Sequence, residues 1–137
     1  MNRAVFDTNV VVSGFLSPHG PPGRIVEWLR SGRVQAVLDD RIAVDYSEVL
    51  ARPSLGLPTA EVKVVLDSIR SRALWVEGAA LSTVRAWPDP DTAAFLECAL
   101  AAGVPLVTGN LRHFPKSATQ NVAVITPARF VASAVRD

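Results

Sequence analysis

Short apolar runs alternate with longer amphipathic segments along this chain. Five runs of three to five residues lack polar alternation, which is typical of strands buried on both faces, as in a parallel sheet. These predicted strands are residues 4–6, 34–38, 73–76, 106–108 and 122–125. Between them, apolar side chains recur at helical spacing. The predicted helices carry these stripes at Ile25–Leu29, Ile42–Leu50, Val62–Ile69, Phe95–Leu100 and Phe130–Val135.

Capping and turn residues set the limits of the predicted helices. The segment Ser17–Gly23 is a loop by composition. Asp39 or Asp40 can cap a helix that runs to Arg52, because the proline that follows cannot continue it. Thr59 can cap the next helix. Strands and helices therefore alternate, which predicts the α/β class with a central, mostly parallel sheet of about five strands.

Length and composition limit the class of protein. The chain has 137 residues, and no repeat or linker divides them, so we expect a single domain over residues 1–137. The one cysteine, Cys98, excludes a disulfide framework within the chain. The first residues lack the apolar core of a signal peptide, and no apolar run is long enough to span a bilayer. We therefore expect a cytoplasmic protein that has no contact with a membrane.

The charge balance gives no global indication of nucleic-acid binding. The net charge is +1, so any RNA binding has to come from a local arrangement of arginines. All basic residues except Lys63 and Lys116 are arginine, and the arginine side chain pairs bidentately with phosphate. An arginine-rich codon usage explains this bias equally well, and composition alone does not separate the two explanations.

Polar residues follow predicted strands or precede predicted helices. In a parallel α/β sheet, ligands bind in the crevice at the carboxyl ends of the strands, and Asp7 comes directly after the first strand. Asp89 and Asp91 precede the helix that contains Phe95, and Asn110 follows the fourth strand. Each has an alternative structural role, since Asp and Asn are common helix caps and turn residues.

Asp45 is the acid for which the helical pattern is most informative. It lies three residues after Ile42, on the flank of the buried stripe, whereas Glu48 points toward the polar side. A carboxylate beside an apolar face is costly unless it is paired or binds a cation. An ion pair with Arg41 or Arg52 is the alternative to a functional role.

Together these acids predict a cation site. Several carboxylates in one pocket repel one another and require a counter-charge. Hard oxygen ligands select Mg²⁺ or Mn²⁺, which keep several waters and bridge to phosphate oxygens. Such a site suits the hydrolysis of a phosphodiester, because the metal activates water and stabilises charge on the phosphorus oxygens.

The order and spacing of five segments carry a family resemblance over nearly the whole chain. The segments are VFDTNVVVSG, DDRIAVDYSEVLARP, DPDTAAFLECALAAG, VTGNLRHFP and ITPARFV. They resemble the PIN domain superfamily, specifically its putative toxin branch related to VapC-type toxin ribonucleases. The resemblance implies a compact three-layer αβα sandwich that binds one or two divalent ions, Mg²⁺ or Mn²⁺, and cleaves RNA.

The resemblance also implies partners and the first two site residues. Relatives usually pair with a small antitoxin protein and often form a homodimer. The first acid of the family falls on Asp7, with Thr8 or Asn9 as local support. The second falls on Asp45, where relatives usually carry glutamate, and Glu48 is a possible substitute one turn further on. The apolar stripes at Ile25–Leu29 and Val62–Ile69 are either a partner surface or part of the core.

The later positions depart from the family pattern. Relatives often have two adjacent acids before the helix, whereas here Asp91 is followed by Thr92. Asp91 is the better candidate ligand, with Asp89 in reserve, although strict register puts Thr92 in the pocket. The fourth acid is Asn110 here, and His113 stands where some relatives carry aspartate. His113 is either structural or functional, in which case it binds phosphate, acts as a general acid or ligates a softer metal. The candidate catalytic residues are Asp7, Asp45, Asp91 and Asn110, of which Asp7, Asp45 and Asp91 are the candidate metal ligands.

These residues lead to three hypotheses for the function of the chain. The first is a metal-dependent endoribonuclease, the toxin of a type II toxin–antitoxin system, which hydrolyses RNA with a Mg²⁺- or Mn²⁺-activated water. The second is a catalytically weakened PIN-like module that binds RNA or a protein, which Thr92 and Asn110 favour. The third is a phosphatase of the haloacid dehalogenase type. It is disfavoured because it needs a second Asp where Asn9 stands, and because residues 107–114 contain no lysine.

Overall fold

The chain folds as alternating strands and helices. The computed structural model describes residues 2–77, 90–114 and 121–135, and of residues 90, 91 and 135 it describes the backbone. The strands are β1 (Arg3–Phe6), β2 (Gln35–Leu38), β3 (Leu74–Trp75), β4 (Leu106–Val107) and β5 (Val124–Ile125). The helices are α1 (Thr8–Leu16), α2 (Pro21–Ser31), α3 (Asp40–Leu50), α4 (Thr59–Arg72), α5 (Pro90–Ala102) and α6 (Pro127–Val135). No helix in the described residues has both the length and the apolar character that crossing a membrane requires.

The five strands form one sheet in the order β3-β2-β1-β4-β5, and every pairing is parallel. This confirms the predicted α/β class. The central strand is β1, whose Ala4 pairs with Ala36 of β2 and whose Phe6 pairs with Val107 of β4. The chain moves outward from β1 to β3 on one side and from β4 to β5 on the other. The strand order therefore reverses between β1 and β4, where sheets of this kind bind ligands.

Helices cover both faces of the sheet. Successive side chains of a strand point to opposite faces, and Val5 and Phe6 are both fully buried. Phe6 packs edge-to-face against Phe130 of α6, with ring centroids 5.3 Å apart. The helix α5 contacts β1, β2 and β4. The arrangement is consistent with the three-layer αβα sandwich that the family resemblance implies.

The helix α1 is an element that the sequence pattern does not predict. Its β-branched run Val10–Val12 has low intrinsic helix propensity, because these side chains lose rotamer freedom against the preceding turn. Tertiary structure overrides this preference: Asp7 caps the helix by accepting from the N–H of Asn9, and Val10 and Val11 are buried. A Cβ on Gly14 would lie 2.3 Å from Cγ2 of Val26, so the glycine permits close approach of α2.

Other helix limits differ from the prediction by a few residues. The helix α2 begins at Pro21, inside the predicted loop, because proline fits the first turn of a helix. Asp39 is the cap of α3, as one alternative predicted, and the helix ends at Leu50, two residues early. The predicted cap at Thr59 is wrong: Thr59 is the first residue of α4, and Pro58 occupies the cap position without a side-chain hydrogen bond.

The apolar stripes of α2 and α4 pack against each other. Trp28 and Leu29 of α2 are buried, as are Val62, Val65 and Ile69 of α4. These residues therefore belong to the core, which is the second of the two alternatives that their pattern allowed.

Candidate active site

Asp7 occupies the point at which the strand order reverses. Its backbone N–H donates to the carbonyl of Val107 in β4 at 2.9 Å. Its Oδ2 accepts a hydrogen bond from the hydroxyl of Thr108 at 2.8 Å, and its Oδ1 accepts a longer one from the N–H of Asn9 at 3.4 Å. The residue is only 9% exposed. Asp7 thus caps α1, which is its structural alternative, and also lies at the carboxyl end of β1, where a ligand is predicted to bind.

Asp45 lies near Asp7 because α3 packs against α1. The hydroxyl of Thr8, the residue that follows Asp7, donates a hydrogen bond to Oδ2 of Asp45. Asp45 is half-buried. Within the part of the chain that the structure describes, Asp45 forms no ion pair with Arg41 or Arg52. The alternative of an ion pair with Arg41 or Arg52 is therefore wrong.

The two carboxylates repel each other. Burial raises the pKa of Asp7, and the negative charge of Asp45 adds to this increase. The hydrogen bonds from Thr108 and Asn9 and the charge of His113 act in the opposite direction, but the pKa remains above its ordinary value. The fold therefore holds Asp7 where its ionised form is disfavoured. A cation bound between the carboxylates would offset this cost.

Tyr46 joins the end of β1 to α3. Its hydroxyl donates to the carbonyl oxygen of Phe6, the residue before Asp7, and the side chain is buried. Burial raises the pKa of Tyr46 well above its ordinary value, and the charges of Asp7 and Asp45 contribute. The phenol therefore remains a neutral donor. The sequence pattern assigns Tyr46 only to an apolar stripe, because periodicity indicates burial and not the polar group that a hydroxyl meets.

The turn after β4 supports the first acid. Thr108 is fully buried; its hydroxyl donates to Asp7 and accepts from the N–H of Asn110 at 3.1 Å. The side-chain carbonyl of Asn9 accepts from the N–H of Gly109 at 3.4 Å, which ties α1 to the same turn. Thr108 is not among the predicted site residues. The signal that points to it is a hydroxyl residue at the carboxyl end of a predicted strand.

Asn110 and His113 belong to one short turn beside Asp7. Asn110 is half-buried and precedes a single-turn 3₁₀ helix, Leu111–His113. His113 is exposed, and its charge is close enough to lower the pKa of Asp7. The structure therefore places both predicted residues near the carboxylate pair, with the imidazole on the solvent side.

The remaining predicted site residues divide into two groups. Glu48 is exposed on α3, as expected for a solvated side chain, and Thr92 is half-buried in the first turn of α5. Asp89 and the side chain of Asp91 lie outside the described residues. The third acidic position therefore stays a prediction.

A second polar cluster joins α3 to α5. Arg41 donates from Nε to Asp39 at 2.8 Å and from Nη1 to Glu97 at 2.9 Å. The two acidic side chains are 9% and 5% exposed, whereas that of Arg41 is 44% exposed. Burial raises the pKa of Asp39, but hydrogen bonds from Arg41 and the N–H of Ile42 outweigh it, so the pKa is lowered. Burial and Asp39 raise the pKa of the Cys98 thiol to about 12. The sequence reasoning does not identify this cluster.

The donor atoms near Asp7 fit a hard divalent cation. Asp7 and Asp45 offer carboxylate oxygens, the ligands that Mg²⁺ and Mn²⁺ prefer, and their like charges favour a bound cation. Within residues 2–77, 90–114 and 121–135, no group of three or more His, Cys, Asp or Glu side chains could hold a metal ion. Two carboxylates completed by neutral oxygens and water remain a composition that Mg²⁺ accepts.

Comparison with known proteins adds one finding to this geometry. The family model described as "PIN domain" matches residues 3–112, which include β1 to β4 together with Asp7, Asp45 and Asn110. A search of the curated proteins finds no match. The matched span covers most of the chain, and the parallel α/β fold agrees with the family resemblance of the sequence. The chain therefore belongs to the PIN domain family.

Proposed function

We propose that this PIN domain is a metal-dependent endoribonuclease that hydrolyses RNA phosphodiester bonds. PIN domains are generally nucleases, and they usually use divalent metals. The observation that carries the proposal is the pair Asp7 and Asp45, which Thr8 joins at the point where the strand order reverses. A buried acid with a raised pKa in such a crevice is characteristic of a functional site.

The residues of the chain hold and orient the reacting groups in this proposal. Asp7 and Asp45 would hold Mg²⁺ or Mn²⁺, which would supply the activation of a water and the stabilisation of charge on the phosphorus oxygens. Thr108 keeps the Asp7 carboxylate in one orientation through its 2.8 Å hydrogen bond. His113 lies on the solvent side, where its imidazole can donate a hydrogen bond to a phosphate.

We propose Asp91 as the third metal ligand, with Asp89 in reserve, and Asn110 as a neutral oxygen at the fourth position. The backbone of residue 91 lies at the start of α5, where a carboxylate is also favoured by the helix dipole. Asp91→Asn is expected to weaken Mn²⁺ binding more than Asp89→Asn, as measured by calorimetry. The opposite order would assign the third position to Asp89, and no effect in either variant would leave it to Thr92.

The direct test is a titration with Mn²⁺ by calorimetry, followed by cleavage of a labelled single-stranded RNA in the same buffer. The variants are Asp7→Asn and a matched control, Asp67→Asn, whose exposed carboxylate pairs with Lys63 on α4. We expect saturable binding and cleavage in the wild type and the control, and neither in Asp7→Asn. Metal-dependent cleavage that survives in Asp7→Asn would refute the assignment.

A second candidate function is a catalytically weakened module that binds RNA or a protein. The residues that favour it are Thr92 and Asn110, which stand at positions where relatives carry acids. Wild-type protein that binds RNA without saturable Mn²⁺ binding would support the module over the enzyme.

We also propose a biological setting, which the resemblance of the five segments to the toxin branch supports. In this setting the chain is one domain and a homodimer, and it acts in the cytoplasm as the toxin of a type II system neutralised by a small antitoxin. Induced expression is expected to arrest growth of a bacterial host, whereas Asp7→Asn is not. Light scattering after size-exclusion chromatography measures the oligomeric state. A monomer would contradict only the proposed homodimer and not the toxin role.

A further inference from the structure

Charge is distributed unevenly between the two ends of the sheet. At the end where the strands begin, five exposed arginines lie close to the start of β1, the start of β2 and the last turns of α2 and α4. We name this surface the basic edge; its residues are Arg3, Arg30, Arg33, Arg70 and Arg72. The carboxylate pair of the candidate site lies at the opposite end, where the strands finish.

Hydrogen bonds connect Arg3 to Arg72 and Arg72 to the end of α2. Nε of Arg3 donates to the side chain of Gln35 at 2.6 Å, and Gln35 in turn donates to the carbonyl of Arg72 at 2.8 Å. Nη1 of Arg72 donates to the carbonyl of Ser31 at 3.2 Å. A Cβ on Gly32 would lie 1.5 Å from Nη1 of Arg72, so the guanidinium covers the glycine directly.

Arg33 extends this surface beyond the glycine. Its guanidinium lies over the ring of Trp28, 4.8 Å from the ring centroid. Stacking of this kind limits the motion of the side chain. Arg33 is also exposed, so its guanidinium is accessible to a ligand.

Little negative charge offsets the basic edge. Glu27 pairs with Arg30, and Asp67, one turn before Arg70 on α4, pairs with Lys63. Among the described residues, the other four arginines of the basic edge form no ion pair. The basic edge is therefore positive, although the total charge of the chain is only +1.

We propose that the basic edge binds the phosphate backbone of RNA, and so holds the substrate at a second place, away from the carboxylate pair. The identification of the bound polyanion as RNA rests on the proposed function. Asp7 follows Arg3 by four residues along the extended strand β1, which places them about 13 Å apart. Carboxylates repel a polyanion, and the small net charge of the chain does not compensate, so attraction requires a separate cationic surface. Planar guanidinium groups suit phosphate oxygens.

The test measures binding of a fluorescein-labelled single-stranded RNA by anisotropy at several salt concentrations. All proteins carry Asp7→Asn, which prevents cleavage. The edge variant is Arg3→Gln, Arg33→Gln and Arg70→Gln; it keeps Arg72, which donates to Ser31, and Arg30, which is paired. The control variant removes the same number of charges from exposed positions outside the basic edge: Arg24→Gln at the start of α2, Arg112→Gln in the turn after β4 and Arg129→Gln on α6.

We expect the edge variant to lose affinity at least tenfold near physiological salt, while the control loses much less. Each phosphate contact with a single strand contributes about 0.7 to the slope of log K against log salt, so the slope should fall by about 2. Equal losses in the edge and control variants would overturn the proposal, because net charge alone would explain them. Unchanged RNA affinity in the edge variant would also overturn the proposal, whether or not the wild-type protein binds anionic lipid vesicles.

Two further measurements separate this proposal from the proposed nuclease. With Asp7 intact, the edge variant should cleave a dinucleotide as the wild type does and show a raised KM for long RNA. A wild type that cleaves no RNA would contradict the nuclease, while the anisotropy comparison would still decide the role of the basic edge. If the triple variant does not fold, Arg70→Gln alone replaces it in the test. The Arg70 side chain makes no hydrogen bond or ion pair among the described residues, and its removal should lower the salt slope by about 0.7.

Discussion

Replacement of Thr108 by valine tests how the fold holds Asp7 in its ionised form. Valine has a similar shape, so the change removes the hydroxyl and preserves most of the packing. That hydroxyl is fully buried; it donates to Asp7 at 2.8 Å and accepts from the N–H of Asn110 at 3.1 Å. The variant therefore loses both hydrogen bonds and leaves the carboxylate without its short donor.

The magnitude follows from these two contacts. A hydrogen bond to a charged group contributes about 1.5–3 kcal/mol to stability, and a neutral one contributes about 0.5–1.5 kcal/mol. The additional buried methyl group of valine offsets roughly 1 kcal/mol of this loss. We therefore expect the free energy of unfolding to fall by about 1–3 kcal/mol at neutral pH.

The cost of Thr108→Val depends on pH. The lost hydrogen bond is one of the interactions that lower the pKa of Asp7, so in the variant this pKa rises further above its ordinary value of 3.8. A raised folded-state pKa means that the native protein binds the proton more tightly than the unfolded chain does. The stability that this proton binding contributes is present at low pH and is lost as pH rises through the folded-state pKa. The variant should therefore lose most stability relative to the wild type at neutral pH, and least below pH 3.8, where Asp7 is protonated in both the folded and the unfolded state.

Urea unfolding at a series of pH values measures this difference. Thr59→Val is the matched control, because Thr59 is exposed on the first turn of α4. A loss in Thr108→Val that is the same at pH 4 and pH 7 would refute the argument that Thr108 supports the charged form. So would a loss within about 0.5 kcal/mol of the control, the scatter of surface substitutions.

Three other changes probe neighbouring contacts. Asp7→Asn removes a charge that burial disfavours, so it should raise the melting temperature at neutral pH while RNA cleavage disappears; a lower melting temperature would contradict the unfavourable burial of this charge. Arg41→Met leaves Asp39 and Glu97 buried without a cation and should cost about 2–4 kcal/mol in urea unfolding, less than a fully buried pair, because the Arg41 side chain is 44% exposed. A cost below about 1 kcal/mol would show that solvent screens these acids. Tyr46→Phe should cost about 1 kcal/mol, the usual contribution of one hydrogen bond, and no loss would mean that the β1 carbonyl finds another donor.

The sheet could be predicted from the sequence because burial on both faces produces uninterrupted apolar runs. The run that contains Val5 and Phe6 is such a case. The helix α1 could not be predicted in the same way, since Val10–Val12 resembles a strand in its local preference and becomes helical through the Asp7 cap and packing against α2. Tertiary contacts decide the outcome where intrinsic propensity is weak.

The acids of the candidate site were predictable from position, whereas their hydroxyl partners were not. Asp7 ends a strand and Asp45 lies on the flank of a stripe, and both facts can be read from spacing. That Thr108 meets Asp7, and Tyr46 the end of β1, depends on which strands and helices are neighbours. The cluster of arginines at the basic edge depends in the same way on where α2 and α4 end.

The hydrogen bond between Thr108 and Asp7 has a consequence for the timing of synthesis, since it joins residues 101 positions apart in the sequence. Domains generally fold as units during synthesis, and contacts of long sequence separation form only after the later partner has been made. A nascent chain that has reached only the end of α4 contains both Asp7 and Asp45 but lacks β4 and the hydroxyl that orients the first carboxylate. For the proposed nuclease, the growing chain therefore stays inactive beside the ribosome and its messenger RNA until β4 has been made and has paired with β1.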